Sequence, residues 1–445
     1  MLSAANNELI TRVGPGTPMG ELFRRYWLPA VIADELIVDG SAVRLRILGE
    51  NLLAFRNSDG VVGIIEPYCA HKLAPLYFGR NEECGLRCTY HGWKFDVSGR
   101  CVDMPNEPAG STYKDEIQLT AYPTQEWGGM IWIYMGPNEP GRELPQLPQL
   151  EWARVDDDQR HLTRWLQRSN WCQGVEGEFD NSHVSFLHSW QDMTHFPNYL
   201  KEVIEAAQFD GAPNIEVQET DYGFITGSRR RSTDPDQHHW MMAQWMMPTY
   251  SLVGNPGWPQ GGRVWVPIDD YHTTTFAFAY HGERPLSESE ITSLESGVAF
   301  PPRLKQGTFK LPDGYLIDTF LPDANRENNY LRDAEIQERV NFTGIYGANE
   351  QDRSVQENMP SVEGAQVGAL VDRTREHLVA TDLPGVTLRR RMIREAKKLQ
   401  QGEEPSLPHL GDLYHVRSPG QRLSSIESFA ELLDDSAAAD AKAVV

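Results

Sequence analysis

The chain has 445 residues, 40% hydrophobic and 23% charged, enough for sizeable cores and for more than one domain. With 41 Lys plus Arg against 63 Asp plus Glu, the formal net charge is −22, which argues against nucleic acid or an anionic membrane surface as the partner. No apolar run reaches about 18 residues, and MLSAANNELITRVGPG lacks a basic flank followed by an apolar stretch, so neither a spanning helix nor a secretory signal is expected. Five cysteines in this length suit a reduced, cytoplasmic protein better than a disulfide scaffold.

In chain order, NELITRV reads as a short helix ending at Gly14 and Pro15. MGELFRRYWLPAVIADEL reads as a second helix, broken at Pro29, which lacks an amide donor. Residues 1–40 are thus expected to be a helical segment packing on the larger domain. From about Ser41 the period changes: VRLRILG, NLLAFRN, VVGIIEP, IQLTAYPTQEW and MIWIYMG read as short strands. Residues 41–150 form a small strand-rich domain that ends in the Pro-rich GPNEPGRELPQLPQL.

Residues 151–420 read as a larger mixed domain. LTRWLQRSNWCQGVEGEFDNSHVSFLH is helical in tendency, with an interruption near Asn181. Alternating strands follow over residues 215–280, then a loop-rich passage, then a long helical pattern over roughly 363–400. Residues 421–445 are acidic and alanine-rich, a tail expected to fray. The fold class is α+β: a small all-β domain, then a larger one with a central antiparallel sheet and flanking helices.

Residues 69–91, CAHKLAPLYFGRNEECGLRCTYH, contain Cys69-x-His71 and Cys88-x-x-His91. Each arm offers a thiolate and an imidazole, and two arms on hairpin tips converge. Two thiolates on one iron and two neutral imidazoles on the other make a mixed-ligand [2Fe–2S] centre, of higher potential than an all-cysteine cluster. A structural zinc site is the competing reading, since two cysteines and two histidines also suit zinc. Gly92 allows the backbone close approach to a cluster. Cys84 and Cys101 fall outside the two-armed spacing and read as small hydrophobes.

Residues 170–188, NWCQGVEGEFDNSHVSFLH, hold Asp180, His183 and His188. Asp180 and His183 share a helical face. His183 and His188 would stand about 140° apart on a regular helix, so a wide turn or π-type bulge is required to bring the rings together. Two histidines and one carboxylate with open positions suit a ferrous oxygenase. This stretch shows no obvious third ligand, and ordinary core or surface histidines are the alternative.

Trp240, Met241, Met242, Trp245, Met246 and Met247 are candidates for an apolar aromatic-binding cavity. Strand alternation lets only about half face inward, and core packing accounts for most. Arg229, Arg230 and Arg231 are candidates to grip a substrate carboxylate, or else to make surface and subunit salt bridges.

Four stretches carry a family resemblance: CAH…CTYHGW at 69–93, NWCQGVEGEFDNSHVSFLH at 170–188, VWVPIDDYHTTTF at 264–276 and QDRSVQENMPSVEGAQVGALVDRTREHL at 351–378. The chain resembles the catalytic (alpha) subunit of Rieske non-haem iron aromatic-ring oxygenases, within them the phthalate dioxygenase-like branch. The resemblance implies a Rieske [2Fe–2S] domain and a catalytic domain of helix-grip (START-like) type. It implies one cluster per chain, held by Cys69, His71, Cys88 and His91, and one mononuclear Fe(II), held by His183, His188 and Asp352. Asp323, Asp333 and Glu357 are alternatives for the third ligand. Asp180 is implied to bridge the two centres. Respiratory Rieske proteins carry an extra cysteine in each arm; Ala74 and Tyr90 stand at those places here, which implies an unstapled, lower-potential centre.

Further implications are an NAD(P)H-dependent flavin and iron–sulfur reductase, with or without a ferredoxin, and a homotrimer or hexamer of catalytic chains alone. In that assembly His91 of one chain approaches Asp180 of the next. The implied reaction uses O2 to dihydroxylate the ring of an aromatic, carboxylated substrate; O-demethylation of a methoxylated aromatic acid is the alternative. An iron–sulfur electron-transfer protein without oxygenase activity is the reading from another class. GPGTPMG is no dinucleotide loop, because a helix precedes it and two prolines interrupt it.

Overall fold

A computed structural model describes residues 1–194, 196, 198–255 and 257–443, with the side chains of 198–200 and 437–443 excepted. The alternating segments near the N-terminus do pair as strands. Val43–Ile47, Glu50–Arg56, Val62–Ile65 and Ala121–Tyr122 form one antiparallel sheet in that order, and Arg80–Glu82, Gly85–Arg87, Lys94–Phe95 and Cys101–Asp103 form another. Their inward residues, among them Leu53, Phe55, Ile65, Leu86 and Phe95, share one core with Cys69 and Cys88. Burying that apolar face anchors the two ligand arms.

The N-terminal segment is only partly helical. Ala4–Thr11 and Pro18–Phe23 are helices, the second opened by the Thr17 side chain accepting from the Gly20 N–H. WLPAVI, expected to be helical, is the strand Trp27–Ile32 on Met130–Tyr134, with a register shift between Pro29 and Val31. An edge strand with an irregularity tolerates proline because no ladder donor is required there.

The larger domain is built on an eight-stranded antiparallel sheet. Its spatial order is Arg160–Gln167, Thr273–Tyr280, Gln260–Pro267, Tyr250–Val253, His238–Met246, Gly223–Arg231 and Asn214–Glu219, with Gln421–Ser424 pairing beside His238–Met241. LTRWLQ was expected to be helical; it lies in the edge strand Arg160–Gln167, paired along its whole length with Thr273–Tyr280. Cross-strand pairing outweighs its local helical tendency.

Three further expectations are corrected. The helical pattern read over 363–400 is a helix only over Leu383–Gln400, where Pro384 sits in the first turn and its missing N–H leaves no bond unmade. The loop-rich passage contains the helix Glu288–Glu295 and the hairpin of Leu304–Lys310 with Leu316–Pro322. Residues 421–436 pack rather than fray, and residues 444–445 of the expected tail lie outside the described residues. Phe429 stacks on Trp240 at 5.8 Å and shares a core with Met242 and Leu432. Gly227 makes room for it, since a Cβ there would lie 2.3 Å from the Phe429 ring. No described helix is long and apolar enough to cross a membrane.

Candidate metal centres and the cavity between sheet and helices

The two cysteine–histidine arms are tight turns. The Cys69 N–H donates to the Ala74 carbonyl at 2.9 Å, the Cys88 N–H to the Trp93 carbonyl at 2.8 Å, and the Gly92 N–H to the Cys88 carbonyl at 3.0 Å. Gly92 has φ of +80°, and a Cβ there would meet Pro105 at 2.7 Å, so glycine is required by the turn itself. Both thiols point into the core, 1% and 3% exposed, and burial together with the adjacent Cys88 sulfur pushes Cys69 up to about 11. The His71 and His91 rings stand 4.4 Å apart, and His71 stacks on Trp93 at 4.7 Å.

The His71 Nδ1 is buried without a hydrogen-bond partner. An orphaned nitrogen of that kind is costly unless it binds a metal. Two inward thiols and two closely spaced imidazoles, one with an orphaned ring nitrogen, fit a [2Fe–2S] cluster. Cys84 stands apart, its thiol 3.1 Å from an Asp59 carboxylate oxygen, and Cys101 lies in the small-domain core.

The second group begins at the Trp171–Phe179 helix, whose first turn is capped by the Asn170 side chain accepting from the Cys172 N–H. The helix stops before Asp180, whose ψ of 91° leaves helical space, and a short 3-10 turn runs over His183–Ser185. No π-type bulge forms. Helix termination followed by this tighter turn performs the re-aiming, and the Nε2 atoms of His183 and His188 stand 3.1 Å apart. Asp352, from the Ala348–Gln356 helix, brings its Oδ1 to 3.5 Å from His183 Nε2 and 3.2 Å from His188 Nε2. Among the described residues these three form one group able to hold a metal ion, their ligand atoms all within 4.8 Å of one another.

Neighbouring groups fix this geometry. His188 Nδ1 lies 2.6 Å from Gln351 Oε1, and the Gln351 Nε2 donates to the Ile345 carbonyl at 2.7 Å. Gln351 thereby holds the imidazole with its other nitrogen facing the cluster of ligands. Its signal in the sequence was adjacency to Asp352, which alone did not single it out. Asp180 Oδ1 accepts from the Ser182 N–H at 2.9 Å and hydroxyl at 2.6 Å, while Oδ2 lies 3.7 Å from His183 Nδ1.

Burial works against ionising Asp180, yet His183 and the Ser182 donors hold its carboxyl well below the usual range. Burial likewise opposes charge on His183, but Asp180 and Asp352 raise it to about 9. Asp352 is lowered against its own burial by His188 and His183. Without a metal, two ionised carboxylates therefore flank a protonated His183, whose proton a metal has to displace.

The alternative third ligands are engaged elsewhere. Asp333 caps a helix by accepting from the Glu335 and Ile336 N–H groups. Asp323 pairs with Lys305 at 3.0 Å, and Glu357 with Arg353 at 3.1 Å and the Tyr330 hydroxyl at 2.7 Å.

Beside His183, His188 and Asp352 lies a cavity of about 200 Å³, walled by the sheet and by Trp190, Phe196, Ile204, Val298 and Phe300. Of the six Trp and Met candidates only Met241 lines it; Trp240 and Met242 pack on Phe429, and Trp245, Met246 and Met247 belong to the main core. The arginine run does not reach it. Arg229 lies 3.6 Å from Glu427, and Arg231 lies 3.2 Å from Asp210. Arg230 is buried and donates to the Asp210 carbonyl at 3.0 Å and the Asn181 carbonyl at 2.7 Å. Alternation turns Arg230 inward, but onto backbone that carries the metal-site loop. The cavity's own arginine is Arg263, which sequence reasoning missed although Gly261, Arg263 and Trp265 alternate onto this wall. A second cavity, of about 250 Å³, touches Asp180, His183 and Asp352 together with Arg373 and Arg389.

The fold and the two ligand sets define a two-centre iron oxidoreductase. Residues 26–123 match the Rieske [2Fe-2S] domain family and residues 133–432 the family described as LigXa C-terminal domain like. The chain is 36% identical to the 3-chlorobenzoate-3,4-dioxygenase oxygenase subunit of Comamonas testosteroni, over 88% of each chain. It is 34% identical to the phthalate 4,5-dioxygenase oxygenase subunit of Pseudomonas putida, over 91% of this chain and 88% of that one. It is 30% identical to the 5,5'-dehydrodivanillate O-demethylase oxygenase subunit of a Sphingobium species, over 91% and 83%. The chain belongs to the Rieske non-haem iron aromatic-ring oxygenases, as an oxygenase subunit of the type that passes electrons from an iron–sulfur centre to mononuclear iron.

Proposed function

We propose that this chain is the terminal oxygenase of the phthalate dioxygenase-like branch. In this reading Cys69, His71, Cys88 and His91 hold the cluster, and His183, His188 and Asp352 hold Fe(II). The observation that carries it is the convergence of those last three residues at the wall of an apolar cavity. The ferrous ion, when bound, supplies dioxygen activation, and the cluster supplies electrons singly. The chain's own part is positional. Gln351 orients His188, Asp180 orients His183, and the apolar wall keeps water from the aromatic ring held beside the triad.

Electrons come from an NAD(P)H-dependent flavin and iron–sulfur reductase, directly or through a ferredoxin. The working unit is a homotrimer or hexamer in which His91 of one chain approaches Asp180 of the next. The second cavity, which opens onto Asp180 and His183, supports that direction of approach. Five cysteines with no disulfide among them, and a reductase that draws on NAD(P)H, support work in the cytoplasm.

The reaction proposed is ring cis-dihydroxylation of an aromatic compound. O-demethylation is the second reading, supported by the likeness to an O-demethylase subunit. Two relatives act, by name, on 3-chlorobenzoate and phthalate, both acids; the arginine run that would have carried an acid preference to this chain lies outside the cavity. Metal analysis with oxygen uptake tests the proposal. About three irons per chain and reductase-dependent oxygen consumption with product are expected, whereas about two irons and no consumption mean electron transfer alone. Product mass and a formaldehyde assay separate the two reactions.

A further inference from the structure

We propose that the cavity selects an uncharged aromatic bearing a neutral hydrogen-bonding substituent held by Asn349, and disfavours aromatic carboxylates. The proposal rests on the cavity being the substrate site of the oxygenase.

Arg263 is the only lysine or arginine among the described residues lining the cavity, and its charge is already matched. Its Nε donates to Glu178, its guanidinium lies 3.7 Å over the Phe300 ring, and the other Glu178 oxygen accepts from the Ser251 hydroxyl at 3.0 Å. The Glu178 side chain is 4% exposed and that of Arg263 10%, so solvent screens neither. Glu178 stands in the last turn of the same helix that delivers Asp180. Among the described lining residues the other basic side chain outside the ligand set is His161, kept neutral by burial although Glu295 stands 3.6 Å away.

The cavity's carboxylates, Glu178, Asp180 and Asp352, balance Arg263 and a ferrous ion together. Among the described residues no positive charge is left unbalanced for a ligand to meet. A ligand carboxylate would have to share a guanidinium with Glu178 inside an apolar chamber, and a buried charge without its own partner is strongly disfavoured.

The unsatisfied groups of the wall are uncharged. Asn349 is 1% exposed and lies one turn ahead of Asp352 on the Ala348–Gln356 helix, so both face the cavity. Its side-chain carbonyl has no hydrogen-bond partner among the described residues, and neither does the buried Thr163 hydroxyl on the sheet wall. These groups and the equally unpartnered Trp265 Nε1–H of the same wall favour an uncharged ligand that both donates and accepts, such as an amide. The place of Asn349 next to Asp352 puts the polar substituent at the metal end of the cavity.

Binding to the anaerobic, unreduced holoenzyme tests this without turnover, read by calorimetry with 3-chlorobenzamide, 3-chlorobenzoate and chlorobenzene as probes. The benzamide is expected to bind at least about ten-fold more tightly than the benzoate. Asn349→Leu is expected to reduce benzamide affinity to that of chlorobenzene. Glu178→Gln releases Arg263 and is expected to raise benzoate affinity. The double variant Glu178→Gln, Arg263→Met removes both charges and is expected to keep benzamide binding, guarding against a misfolded single variant. Benzoate binding as tight as benzamide, loss of benzamide binding in the double variant, or no binding of either polar probe overturns the proposal. Failure of the oxygenase reading is seen separately, in iron content and oxygen uptake.

Discussion

Gln351→Leu isolates one positioning contact of the candidate iron site. Leucine nearly preserves the volume but cannot accept from His188 Nδ1, so the 2.6 Å contact that fixes the ring is lost. Removing a partner that orients a ligand imidazole typically weakens metal binding about 10–100-fold, about 1.4–2.7 kcal/mol. The same substitution removes the 2.7 Å donor to the Ile345 carbonyl, which keeps Asn341 Nδ2 at 2.8 Å, so the separate stability cost is about 1 kcal/mol. Gln351→Glu divides the two effects, since it keeps an acceptor for His188 while losing the donor to Ile345. Anaerobic titration of the iron-depleted triad with Fe(II) against a competing chelator reads affinity, and thermal melting reads stability. The Leu variant is expected to lose affinity and stability, and the Glu variant chiefly stability. Cluster absorbance is expected to stay unchanged in both. Unaltered Fe(II) affinity in the Leu variant refutes the argument that Gln351 orients a metal ligand.

Three further outcomes are expected. Asp180→Asn keeps the site's shape but removes the charge beside His183, so both metals are expected to stay bound while coupled product formation falls about 10–100-fold; near-normal turnover by oxygen uptake with product analysis speaks against it. Glu176 is buried, which opposes ionisation, but the charges of Arg373 and Arg389 hold it down to about 2, against an ordinary 4.5. A depressed folded-state value stabilises fully above the unfolded value and is lost as pH falls through the folded one. Denaturant melts are therefore expected to weaken by about 3 kcal/mol between about pH 5 and 2, a dependence that Glu176→Gln flattens. Phe429→Ala removes a ring stacked on Trp240 and is expected to cost about 3 kcal/mol with iron content unchanged; an unmoved melting temperature contradicts the packing of the C-terminal helix.

The ligand arms were legible because their geometry is local. Cys69-x-His71 and Cys88-x-x-His91 each place two donors on one turn, and turn chemistry is written in a few neighbouring residues. Strands such as Val43–Ile47 and Thr273–Tyr280 were legible for a similar reason, because a two-residue period is written in adjacent residues. LTRWLQ carried no such period. It becomes a strand only because Thr273–Tyr280 offers it a full ladder, and that partner lies a hundred residues away in the chain. Residues 421–436 are ordered for the same kind of reason, by a Trp240 surface that composition does not reveal.

Residue identity and spacing pointed to the kind of chemistry: two thiols and two imidazoles in paired arms suit an iron–sulfur or a zinc centre, and D-x-x-H with a second histidine suits a metal site whose third ligand only the family resemblance supplied. Tertiary structure decided which donors meet and what they face. It closed the His183–His188 gap by ending a helix at Phe179 and tightening the next turn, where the sequence suggested a bulge. It carried Asp352 in on a separate helix and set Gln351 behind His188. It also directed the arginine run into protein contacts and brought Arg263 to the cavity already paired with Glu178. The division has one physical cause. Donor type and local turn geometry are short-range properties of the chain, whereas orientation, burial and the balance of charge are set by residues that only folding brings together.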